Sequence, residues 1–128
     1  MWSNHYDYYR ISASANQRLT ADTKQIQVVL DAMPDLERIG LMSYRNAMGF
    51  PWIDLVLAKA QDGSFSCSND TWHDEFNLIS VVCSKTETGS VSNTQIVFLV
   101  RLAQMLNWEL INEENDAGQK NVIIWKPQ

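Results

Sequence analysis

Nothing in this 128-residue chain approaches the run of about 18 apolar residues that a membrane-spanning helix needs. The first residues, Met1-Trp2-Ser3-Asn4-His5-Tyr6-Asp7, lack a basic region followed by an apolar one, so no secretory leader is expected and the expected compartment is the cytoplasm. Two cysteines, Cys67 and Cys83, are too few for a disulfide framework or a zinc knuckle. They read as buried free thiols in a reducing compartment, with a single disulfide between them as the alternative. Five glycines, none in a Gly-x-Gly-x-x-Gly, P-loop or Gly-x-Ser-x-Gly arrangement, leave no phosphate cradle and no nucleophile elbow. Ten basic residues against fifteen acidic ones argue against nucleic acid, whose phosphates demand Lys and Arg.

What is present is an ordinary globular composition, 45% hydrophobic and 20% charged, in a length that suits one domain, 1–128. The net charge of −5 is unevenly spread. Residues 1–61 are neutral, whereas residues 62–116 hold nine acids against Lys85 and Arg101. An excess of this sign attracts a basic partner over long range and steers its encounter.

Periodicity supplies the fold class. Tyr6 to Ser12 reads as a first strand. Asp22 caps a helix with Gln25 three residues on, and Ile26, Val29, Leu30 and Met33 form its apolar stripe. Pro34 ends that helix. Strands are expected over 37–43 and 52–60, and Asp62-Gly63 turns the chain back through 64–68. Another strand lies within 71–84. Ser92 and Gln95 make a second capping box, Val91 with Ile96 a hydrophobic staple, and the helix over 93–107 is apolar nearly all round. Its main stripe is Ile96, Leu99, Val100, Ala103 and Leu106, and it is expected to be buried on more than one side. A hairpin over 108–126 closes the chain. The expected architecture is α+β, a mostly antiparallel sheet with two helices packed on it, in the order β-α-β-β-β-β-α-β-β.

Candidates for chemistry are sparse. His73 and Glu75 share one face of a strand but are two ligands, too few for a metal, so no cofactor is expected. Neither cysteine lies beside a histidine base. Glu113 and Glu114 are adjacent, so a strand points them to opposite faces and spoils a paired-carboxylate site. No catalytic residue is assigned and no enzyme is expected. Aromatic anchoring beside charge is the economy of a protein interface. The expected docking face therefore comprises Asp70, Trp72, Asp74 and Glu75, joined by Glu109, Glu113, Glu114 and Asp116 of the final hairpin.

In size, acidity and absence of catalytic residues the chain resembles bacterial immunity proteins of polymorphic-toxin and contact-dependent growth inhibition systems. That resemblance implies a toxin inhibitor whose acidic surface covers a basic toxin, often a nuclease. The strand-helix-strand-strand pattern of residues 6–60 and again of 76–126 is similar to vicinal oxygen chelate proteins. This second resemblance implies a cavity between two modules and a metal or small molecule held near His5 and His73. A third reading is a regulatory subunit that homodimerises through the helix 93–107.

Overall fold

The computed structural model describes residues 5–13, 19–59, 71–86, 91–114 and 118–127. The elements are β1 (Tyr6–Ser12), β2 (Ala21–Asp22), α1 (Thr23–Asp31), β3 (Leu36–Arg38), β4 (Ser43–Asn46) and β5 (Ile53–Ala58), then β6 (Glu75–Phe76), β7 (Leu78–Ser84), α2 (Asn93–Leu106), β8 (Glu109–Glu114) and β9 (Lys120–Trp125). Among the described residues, seven strands form one sheet in the order β3-β4-β5-β7-β1-β8-β9, every neighbouring pair antiparallel. β2 and β6 form a separate two-stranded ribbon. The fold is the α+β class expected, and the main sheet with its helices runs in the expected order.

Register explains where the core lies. Tyr44 faces Leu55, Leu55 faces Val81, Val81 faces Tyr9 and Tyr9 faces Asn112, so one row of side chains crosses five strands on a single face. Both helices join that face, because Ile26 and Leu30 of α1 and Phe98, Leu99, Leu102 and Ala103 of α2 share one buried cluster with it. The alternate residues Arg45, Asp54, Val82 and Tyr8 form a row on the opposite face, each partly or fully exposed.

Each helix is turned slightly from its expected stripe. In α1 the buried side chains are Thr23, Ile26, Gln27 and Leu30, while Val29 is 39% exposed. Gln27 replaces Val29 because its amide is bonded at both ends: Nε2 donates to the carbonyl of Leu41 (2.8 Å) and Oε1 accepts from Arg38 (3.0 Å). In α2 the buried side chains are Gln95, Phe98, Leu99, Leu102 and Ala103, with Ile96, Val100 and Leu106 partly buried. Gln95 completes the expected capping box and also donates to the carbonyl of Trp52 (2.6 Å). Of the large apolar side chains of α2 only Val97 and Met105 are well exposed, so most of its apolar circumference is at least partly covered. Asn107 ends the helix in the left-handed conformation (φ 59°), a position that Asn tolerates after Gly.

The run expected as one strand over 37–43 is a hairpin. β3 and β4 pair from Leu36 with Asn46 to Arg38 with Tyr44, and Ile39 donates its N–H to the carbonyl of Ser43 (2.9 Å). Gly40 breaks the apolar run at its middle, placing Ile39 and Leu41 outside and Met42 in the core. Asp31 at the end of α1 ties this hairpin to the helix, accepting from Tyr44 Oη (2.9 Å) and pairing with Arg38 (2.9 Å). The expected strand 64–68, its Asp62-Gly63 turn and Cys67 lie outside the described residues. No helix among the described residues is long and apolar enough to cross a membrane.

Candidate protein-docking surface

The ribbon of β2 and β6 closes one end of the sheet, where β1 finishes, β7 begins and β8 begins, since Ser12 faces both Leu78 and Glu109. Phe76 anchors the ribbon: it is fully buried and its ring meets that of Trp108 edge-on, with centroids 5.5 Å apart. Alternation along the strand then turns Glu75 outward. Its register partner is Asp22, and both carboxylates are exposed. Like charges directly opposite on paired strands destabilise the pair.

Each acid here has a local hydrogen bond and no neutralising base. Asp22 accepts the N–H of Gln25 (2.9 Å) as the cap of α1. Glu75 accepts from Thr20 Oγ1 (3.1 Å). Asp74 accepts the indole N–H of Trp72 (2.8 Å), and its backbone carbonyl takes the N–H of Thr23 (2.9 Å). Among the described residues no basic group lies within 4 Å of these three carboxylates. A concave site adjoins them. Ala13, Leu19, Asn107, Trp108, Glu109 and Pro127 line a hollow of about 240 Å³. Leu19 is next in sequence to Thr20, so the hollow and the acid ribbon share a rim.

The structure regroups the residues expected to form the docking face. Asp74, Glu75 and Glu109 lie at this end of the sheet. Glu113 is four strand residues beyond Glu109, about 13 Å further along β8. Glu114 is placed by its backbone alone, opposite Lys120. Asp70 and Asp116 lie outside the described residues. Trp72 is half-buried and packs against the core, so it anchors its own segment instead of standing free for a partner. Sequence reasoning missed the share of Asp22, which it read only as a helix cap, and of Leu19. Capping accounts for the short acidic side chain of Asp22 in the sequence, and only the pairing of β2 with β6 places it opposite Glu75.

At the opposite end of β1 the acid chemistry is reversed. Asp7 is buried on the covered face, where its Oδ2 accepts from Tyr9 Oη (3.0 Å) and from the Asn112 amide (3.2 Å). Cys83 faces it across the β1–β7 pair and is a buried free thiol. Burial first, and the charge of Asp7 second, push the Cys83 thiol from its usual 9.0 up to about 12, which keeps it protonated and inert. The Tyr44 hydroxyl is likewise raised, by burial and then by its hydrogen bond to Asp31.

A second hollow, of about 370 Å³, lies between α2 and the turn after β4, with Phe50, Val97 and Phe98 beside Asp35 and Arg101. It carries one charge of each sign and selects neither. His5 and His73 sit at opposite ends of the sheet, separated by the length of β7, about 20 Å, so the pair cannot hold one metal. The halves also interleave, β1 lying between β7 and β8, where two separate modules would have enclosed a cavity. Neither a protein-family model, a curated protein nor a solved structure matches the chain.

Proposed function

We propose that this chain is an acidic binding module that engages a basic protein partner, acting as an immunity protein acts when it neutralises a cognate bacterial toxin. The observation that supports this reading is the ribbon at the end of the sheet. Asp22 and Glu75 are held directly opposite one another, with Asp74 beside them and no base within reach among the described residues. Like charges held opposite one another cost stability beyond what the cap of α1 needs, and a cationic partner removes that cost. The inert Cys83 thiol and the satisfied Asp7 carboxylate offer no nucleophile and no free acid, which favours binding over catalysis. On this reading the protein works in the cytoplasm, where free thiols stay reduced.

Affinity capture from the source cells at low salt tests the proposal, with wild type compared against the double variant Asp74→Lys, Glu75→Lys. A basic protein retained by wild type, lost by the variant and released by salt is the expected result. Equal retention by a control variant, Glu37→Lys, and by wild type is also expected, because Glu37 lies on the opposite edge strand of the sheet. Retention that ignores the ribbon charges overturns the reading.

A further inference from the structure

The hollow beside the ribbon has a shape and a charge that specify its occupant. Its volume of about 240 Å³ falls below the roughly 300–1,000 Å³ that drug-sized ligands fill, and is nearer to the bulk of one long side chain. Its lining is mostly apolar: Leu19, 63% exposed at the rim, with Ala13, Pro127 and the edge of Trp108, which is itself 5% exposed. Glu109 is among the lining residues, and its carboxylate has no basic group within 4 Å among the described residues. Lys126, next to Pro127 in sequence, is exposed and makes no ion pair with it. Asp22, Asp74 and Glu75 bring further negative potential to the same end of the sheet.

A recess lined by apolar residues and one unpaired acidic residue matches the anatomy of an arginine or lysine side chain, which packs its methylene stem on apolar surface and carries its charge at the tip. We infer that this hollow is a socket for one such side chain of the basic partner, with the stem on Leu19 and Trp108 and the head group on Glu109. This rests on the reading above and sharpens it: the ribbon supplies the field, while the socket sets the register of docking. A planar guanidinium gains more here than an ammonium, because it pairs with a carboxylate through two parallel hydrogen bonds.

The test is a nitrogen–proton NMR titration of the full chain with n-butylguanidinium at low salt, using n-butanol as the uncharged probe. Saturable shifts confined to the amides of Leu19, Asn107 and Glu109, and absent with n-butanol, are expected. Glu109→Gln, an exchange at a partly exposed strand position, is expected to weaken the probe about fivefold, and Leu19→Trp to block it by filling the recess. Shifts spread over all exposed carboxylates, or unaltered by both substitutions, overturn the socket. The two readings fail separately. Capture of a basic protein that is lost with Asp74→Lys, Glu75→Lys yet untouched by Leu19→Trp sinks the socket and leaves the docking surface standing. A socket that binds n-butylguanidinium in a chain that captures no basic protein sinks the docking surface instead.

Discussion

Asp7 and Glu75 are carboxylates at opposite ends of one molecule, and the fold treats them in opposite ways. Asp7 lies beneath the helices with two side-chain donors aimed at a single oxygen, from Tyr9 and Asn112. Glu75 stands outside on a two-residue strand, facing another acid, with one hydroxyl for company. A buried charge must be fully hydrogen-bonded or the fold is lost, whereas an exposed charge can be left in an unfavourable setting for less than 1 kcal/mol. The interior therefore has no freedom in how it uses its acid, and the end of the sheet has a great deal. Chemistry aimed at another molecule belongs where that freedom exists.

The comparison breaks first at Trp108, which serves both regions: it packs on Phe76 in the core and lines the hollow. Trp108→Ala is expected to cost about 3–5 kcal/mol in urea unfolding and to loosen the ribbon with the core. A loss under 1 kcal/mol would show that the acid end is held without this support.

Cys83 reports on the interior next to Asp7. In a Cys67→Ser background, a thiol reagent at pH 8 should react with the folded protein about a thousandfold more slowly than with the urea-unfolded chain, matching three pH units of displaced ionisation. The folded thiol holds its proton to about pH 12 while the unfolded one releases it near 9.0, so the contribution to stability is whole below pH 9 and is lost as pH climbs through 12. Rapid reaction at pH 8 in the native state would contradict the sealed interior.

Asp7→Ala removes the carboxylate that accepts from the Tyr9 hydroxyl and the Asn112 amide and should cost about 1–3 kcal/mol. The smallest effect separates the two acids of the ribbon. Glu75→Lys places opposite charges across β2 and β6 and should raise stability by about 0.2–1 kcal/mol while abolishing capture of a basic protein. Asp22→Ala should instead lower stability by about 1 kcal/mol, since it removes the cap of α1. A Glu75→Lys variant less stable than wild type would mean that Glu75 is structural, and the contrast with Asp7 would collapse.

Much of the fold was legible because it is written over short spans. The cap at Asp22, the capping box at Ser92 and the stop near Pro34 all concern residues within four positions of each other, and each stands where the chain announces it. The errors arose where a polar residue competed with an apolar one for the interior. Gln27 displaced Val29 because its partners, Leu41 and Arg38, come from a hairpin more than ten residues away. The run 37–43 looked like one strand because Gly40 carries a turn signal too weak to outweigh its three apolar neighbours, Ile39, Leu41 and Met42.

The proposed docking surface shows the same division. Its acidity was visible as an excess in residues 62–116, yet Asp22 and Leu19 come from outside that span, and Glu113 falls at the far end of the strand that Glu109 begins. By itself the sequence determined most of the elements, their order and the sign of the chain's own charge, since propensity, capping and net charge are properties of neighbouring residues or of simple sums. Only the tertiary structure decided which acids meet, because the contacts that gather them, Thr20 with Glu75, Asp22 with Glu75 and Phe76 with Trp108, join segments more than thirty residues apart. Burial of Phe76 is what brings them together, and the charges follow the chain to which they are attached.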